Sequence, residues 1–376
     1  MKSKILGMLL IAALLLQGCA DRGNRGTQRG TQDGNIVIGV SWPFATRNDG
    51  FNEGIDMALD EIADAGGLLG GRKLELRKED DESSVTGAMS IAQKFAASAE
   101  VSAVIGNRGS SLSIPSSSIY EDAGIVMLSP GSTAPKLTEQ GYTRIFRMIP
   151  SDIQIGERMA QYAALRNYKR IAILYADDDY GRGLANVFED RAKLYKLSTI
   201  DRRSGYTDTQ DLKRMVQGWG TLNCDAIFIA DVMPAGLQTI LDLRSIGVKL
   251  PILGGDGLDS TQLLQLTNGE AEGTVVASIF NPKDERKEVQ EFVRRYQQRY
   301  DTEPTKWSAQ GYDAVMLLAQ AIETAGSAAP DDIAKALRAM KWTGGTGPHT
   351  FNEQGDVQQK PVVLKQVRGG QFDYLE

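Results

Sequence analysis

The feature that most constrains this chain is the regular exchange of short apolar runs with stretches of helical periodicity, beginning at Asn35. Residues 36–40 read as a buried strand. A helix from about Gly54 follows, with Ile55, Ala58, Leu59 and Ile62 on one face and Gly66-Gly67 as its stop. Strands at 74–77, 103–105 and 125–128 then alternate with helices near 85–97 and 113–121. After 147–152 the rhythm restarts: strands at 171–175, 198–201, 226–230, 252–254 and 275–280 are interleaved with helices from Gly181, around Leu212, Met215, Val216 and Trp219, and over 236–246. Two long helical patterns, 285–300 and 308–325, come last. Continuous apolar strands in β-α-β order predict parallel sheets covered on both faces. Two doubly wound α/β lobes fit the restart, and ligands of such sheets sit beyond the carboxyl ends of the strands.

The first residues carry a separate signal. Lys2 and Lys4 precede an unbroken apolar stretch over 5–16, too short to span a bilayer but right for the core of a secretory signal. It ends in Leu16-Gln17-Gly18-Cys19, the order of a bacterial lipobox. The expectation is a signal peptide over 1–18 and lipidation at Cys19, with several acyl chains giving stable anchorage. A flexible tether over 19–34, poor in apolar residues, follows. The mature protein is therefore expected to be exported and to face the periplasm or cell exterior from a membrane.

Several function classes fall away. Loss of two lysines with the signal takes the formal charge from −6 to −8, and no Lys/Arg cluster with interleaved aromatics occurs, so nucleic acid is not an expected partner. Cys224 has no intramolecular partner once Cys19 is lipidated. The single histidine, His349, lies in a Gly/Pro-rich stretch and cannot build a His-based triad or a multi-histidine metal site. Walker A, Gly-x-Gly-x-x-Gly and Gly-x-Ser-x-Gly motifs are missing from the sequence. The reading is a non-enzymatic binder of a small molecule, with no cofactor and no metal.

Two polar loops at strand ends are candidates for the site. Gly106-Asn107-Arg108-Gly109-Ser110-Ser111 opens a helix whose N-terminus attracts a carboxylate, or else its serines merely cap that helix. Ser129-Pro130-Gly131-Ser132-Thr133-Ala134-Pro135 ends the next strand and adds hydroxyls and amides. In the second half, Asp256 and Asp231 stand at strand ends, where each either receives an ammonium group or closes its own turn. Asp177-Asp178-Asp179 reads as a loop and helix start rather than a metal cluster.

At these loops the sequence resembles the leucine/isoleucine/valine-binding proteins, the type I periplasmic receptors of branched-chain amino-acid ABC transporters. The residues that carry the resemblance include Val104-Ile105-Gly106, Ser110-Ser111, Ile119-Tyr120-Glu121-Asp122, Ser129-Pro130-Gly131, Thr133-Ala134-Pro135, Tyr180-Gly181 and Tyr312-Asp313-Ala314-Val315. The resemblance implies two lobes, 35–150 with 281–355 and 151–280 with 356–376, and hinge crossings near Pro150, Phe280 and Gly355. It implies that Ser110 and Thr133 hold an α-carboxylate and that the Gly131 carbonyl and Asp256 meet an ammonium. Tyr180 and Val232 would border the ligand from the second lobe. It further implies capture of an amino acid or related carboxylate for an ABC permease, the alternative being a sensory receptor of the same fold. Three departures bear on the ligand's side chain and on the first lobe. Gly109 stands where the family has a disulfide cysteine. The loop 41–45 is one residue shorter, moving its aromatic to Trp42. Arg108 replaces an apolar residue beside the ligand, which favours an acidic or hydrogen-bonding side chain unless Arg108 pairs with an acid of the protein.

Overall fold

The computed structural model describes residues 29–30, 34–47 and 49–375. The expected signal peptide, lipidation at Cys19 and most of the tether lie outside the described residues. Among those described, no helix is long and apolar enough to cross a membrane.

The first sheet has five strands: β1 (Ile36–Trp42), β2 (Leu74–Asp80), β3 (Val101–Ile105), β4 (Val126–Ser129) and β5 (Ile145–Arg147), in the order β2-β1-β3-β4-β5. Every pairing is parallel. Helices α1 (Phe51–Asp64), α2 (Val85–Ala97) and α3 (Ser110–Ala123) connect the first four strands. β1 is buried along its whole length, as a parallel strand covered on both faces must be. Its pleat sends Ile36, Ile38, Val40 and Trp42 into one core and Val37 into another.

The chain then builds a second sheet. α4 (Asp152–Leu165) leads through β6 (Arg170–Tyr175), α5 (Asp179–Leu194), β7 (Ser198–Arg203), α6 (Thr209–Thr221), β8 (Ala226–Ala230), α7 (Ala235–Ser245), β9 (Ile252–Gly254), the short α8 (Gln262–Gln265) and β10 (Val275–Ser278). The strand order is β14-β13-β10-β9-β8-β6-β7, where β13 (Val363–Arg368) and β14 (Gln371–Leu375) are the last strands of the chain. β6 to β10 run parallel and repeat the order of the first sheet, whereas β13 and β14 add antiparallel. The expected parallel sheet is thus present and carries an antiparallel edge.

Between β10 and β13 lie α9 (Lys287–Tyr300), α10 (Lys306–Ala325), α11 (Pro330–Ala339) and a hairpin of β11 (Trp342–Gly344) and β12 (Gly347–His349). Their apolar faces join the core beneath β1, together with Phe51 and Ile55 of α1. α10 is buried on nearly every side. It packs on α1 at two glycines: a Cβ on Gly54 would lie 2.0 Å from the Ser308 carbonyl oxygen, and one on Gly311 would lie 2.4 Å from that of Phe51. α4, β5, α11, β13 and β14 are additions to the sequence reading. α4 begins with a capping box between Ser151 and Gln154 and buries Ile155, Met159, Ala160 and Ala163.

Candidate functional site

Both sheets switch direction at the same place in their strand order, between β1 and β3 in the first and between β6 and β8 in the second. A crevice opens beyond the carboxyl ends of the strands at such a point. Here the two crevices meet in one cavity of about 190 Å³. Pro43 and Arg47 reach it from the loop after β1, Arg108 to Leu112 from after β3, and Gly131 from after β4. Asp178 and Tyr180 follow β6, Val232 follows β8, and Asp256 and Gly257 follow β9.

Buried side chains stitch the first wall together. Asn107 Nδ2 donates to Ser41 Oγ (2.7 Å) and Asp81 Oδ2 (3.0 Å), and its backbone N–H donates to Ser113 Oγ (3.0 Å). Ser132 Oγ bonds Ser113 Oγ at 2.5 Å. The carboxyl end of β1 and the loops after β2, β3 and β4 are thus joined in one buried polar network. Gly109 is the residue before α3, so neither serine caps it. Ser110 Oγ instead accepts the Ala134 N–H (3.2 Å), which leaves its proton free to donate, and Ser111 Oγ accepts the Asp179 N–H (3.2 Å) from the opposite wall. Gly131 is required by contact, because a Cβ there would lie 2.5 Å from the Arg108 carbonyl oxygen.

On the second wall, Tyr180 Oη donates to Asp256 Oδ1 (3.0 Å) and accepts the Gly257 N–H (2.9 Å). Burial pushes the Asp256 carboxyl above its usual range, with the Lys306 ammonium pulling the other way. Asp231 accepts the N–H of Val232 (2.7 Å), which is the turn-closing alternative. Asp178 accepts the Gly181 N–H (2.7 Å) as the N-cap of α5, and among the described residues no group of His, Cys, Asp and Glu is arranged to hold a metal.

Of the residues named from sequence, Arg108, Ser110, Gly131, Tyr180, Val232 and Asp256 line one cavity. Trp42 does not, and this corrects the expectation. β1 runs on through Trp42, whose ring follows Ile36, Ile38 and Val40 into the core, is fully buried and stacks on Phe51 at 3.6 Å. Trp307, at the start of α10, lines the cavity on this side instead, and Trp42 packs edge-on behind it at 5.3 Å. Thr133 is also set back: its hydroxyl is buried behind the lining residues, beside the Asp152 carboxyl. Near it lies Asp152, which the sequence reading passed over. Asp152 is fully buried, and burial pushes its carboxyl up to about 8, with the neighbouring Thr133 hydroxyl pulling the other way.

Arg108 lies between the alternatives posed for it. It lines the cavity, yet its Nε is 3.5 Å from Asp49 Oδ2 and its guanidinium sits over the Trp307 ring at 4.5 Å. Burial raises the Asp49 carboxyl and Arg108 lowers it. Away from the cavity, His349 is buried with Nε2 2.6 Å from Lys360 Nζ, and burial together with that ammonium holds the imidazole neutral.

Two doubly wound sheets that present their strand ends to one shared cavity have the architecture of a two-lobed binding protein. The chain belongs to the periplasmic binding protein family, whose profile matches residues 36–371, and within it to the type I leucine/isoleucine/valine-binding group. It is 30% identical over 349 residues to the Leu/Ile/Val-binding protein homolog 1 of Brucella suis biovar 1, covering 91% of this chain and 92% of that protein. The leucine-specific-binding protein of Salmonella typhimurium is 30% identical over 327 residues, covering 86% of this chain and 87% of that one. The crystal structure of an ABC transporter substrate-binding protein from Desulfitobacterium hafniense in complex with Leu superposes with a TM-score of 0.84 at 42% identity, covering 91% of this chain and all of that one.

Proposed function

We propose that this protein is an extracytoplasmic lipoprotein receptor, anchored through Cys19, that captures an amino acid or related small carboxylate between two lobes and delivers it to an ABC permease. The observation that carries this reading is the complementarity of the two walls. A buried acid oriented by Tyr180 faces a hydroxyl and the amide-rich start of α3 across one cavity. An α-amino acid has the matching pair of charges. Its carboxylate is stabilised by the Ser110 hydroxyl, the Thr133 loop and the N-terminal amides of α3. Its ammonium meets Asp256 and the Gly131 carbonyl, which relieves a carboxylate that burial alone disfavours. That relatives named for leucine, isoleucine and valine share the fold supports the class of ligand.

The ligand's side chain then lies toward Arg108, Asp49 and Trp307. A guanidinium already facing one acid and stacked on an indole suits a hydrogen-bonding side chain better than an aliphatic one, which would leave it without compensation. Titration of leucine, glutamate, glutamine and an aromatic amino acid against wild type and Arg108→Leu tests the reading. Wild type is expected to prefer glutamine or glutamate, and the substitution to shift preference toward leucine. Wild type that prefers leucine with Arg108→Leu unchanged would remove Arg108 from selectivity. Failure of all four to bind would overturn the amino-acid class.

A further inference from the structure

We infer that Lys306 is a positioning residue that joins the two halves of the receptor on the turn that carries Asp256, so that closure and orientation of the ligand-facing acid are one event. Lys306 occupies the first position of α10, where a cation opposes the helix dipole, so helix stability does not explain it. Its side chain is almost wholly buried. Its ammonium donates to the Asp256 carbonyl at 2.5 Å and lies 3.8 Å from Asp259 Oδ2.

The two ends of this contact belong to different cores. Trp307 and the apolar face of α10 pack under β1 of the first sheet, whereas Leu258, within the turn 256–259, packs in a core of the second. Asp259 is held on its own side by Lys365 Nζ (2.8 Å) and Ser278 Oγ (2.5 Å). The turn therefore stays built if the halves part, while Lys306 loses both oxygens it faces. Asp256 consequently bears two contacts at once: its carboxylate is set by Tyr180, and its carbonyl is held from the other half by Lys306. Lys306 is not among the residues lining the cavity, so its effect on a ligand passes through the turn.

The role of Asp256 toward an ammonium rests on the function proposed above, but the joining of the halves does not, and the test separates them. Cysteines placed at Thr46 and Ala235, both exposed, flank the contact between Arg47 Nη2 and the Met233 carbonyl (3.0 Å) that also spans the halves. In a Cys224→Ser background without ligand, the rate of bridging by a short bis-maleimide reads the closed population. Lys306→Met should slow it by about ten- to a hundredfold, the effect of losing hydrogen bonds to a charged donor. Lys306→Arg should recover part of the rate, and Lys306→Gln, which keeps a donor without charge, serves if the methionine variant does not fold. Equal rates in the wild-type and variant backgrounds, or no bridging in the wild-type background, would overturn the inference. In parallel, L-leucine and L-glutamate are titrated against wild type and Lys306→Met. Loss of affinity carried mainly by faster dissociation is expected for whichever binds. Binding of neither to wild type would sink the proposed ligand class while leaving the bridging result to judge Lys306.

Discussion

At the scale of single residues, the cavity combines groups that must be partnered with groups left waiting. Ser110 has its acceptor side occupied by the Ala134 N–H and its proton free, so Ser110→Ala should cost about 1–3 kcal/mol of ligand binding, the range for a hydrogen bond to a charged group. Asp256→Asn should cost more, about 3–5 kcal/mol, because it strands an ammonium in an enclosed site. Calorimetric titration of the preferred amino acid checks both, and an order reversed between them would displace Asp256 from the ammonium. Asp152 makes a separate prediction about pH. Its folded-state carboxyl is raised to about 8 from an unfolded value of about 4, so between those values the folded protein holds a proton that the unfolded chain releases. Stability from this group is complete below about pH 4 and falls as pH rises toward 8. Asp152→Asn removes the loss. The melting temperature of the ligand-free variant should overtake that of wild type increasingly from pH 5 to pH 8, and a constant difference would show that the Asp152 carboxyl is not raised.

At the scale of elements, helix contacts decide what each glycine means. Gly54 brings α1 against α10 with no room for a Cβ, so Gly54→Ala should destabilise by about 1–3 kcal/mol through overpacking. Gly218, inside α6, has nothing within 4 Å of the same atom. Gly218→Ala should stabilise by up to about 1 kcal/mol, since alanine loses less freedom in a helix. Urea unfolding of the pair checks the contrast. A Gly54→Ala variant as stable as wild type would mean that α1 and α10 can part without cost. Three of the elements that escaped the sequence reading, α4, β13 and β14, share a cause. α4 is rich in polar residues on its open face, and β13 and β14 are half-exposed strands of mixed composition. Their identity comes from the sheet and core they join, and periodicity alone signals them weakly.

At the scale of the whole molecule, the two sheets repeat one strand order and point their switch points at each other. That arrangement makes a cavity whose walls come from different parts of the chain. The protein's proposed attachment depends on Cys19, ahead of the described residues. Cys19→Ser should release the protein from membranes or leave an uncleaved precursor, as read by fractionation and intact mass. A processed, mature-length species that stays membrane-bound would refute the anchor.

The doubly wound class, the strand-end loops 106–111 and 129–135, and Asp256 were legible in the sequence because each is local: apolar runs end in clusters of Gly, Ser, Asn and Asp that cannot continue a strand. Family resemblance added Tyr180 and Val232, which the cavity unites with them. What only the tertiary structure decided is which side of each wall faces the ligand. The resemblance places the aromatic of the shorter loop 41–45 at the site as Trp42, but the first strand runs on through Trp42 and its pleat turns the ring into the core. Trp307, Lys306, Asp49 and Asp152 reach or support the site from distant segments, and no local pattern marks them. The same holds for Arg108, whose charge was evident from the sequence and whose acid partner and indole cover were not. Sequence sets the elements through spacing that each segment carries alone, whereas the chemistry of the cavity arises from pairs that meet only when both sheets are packed.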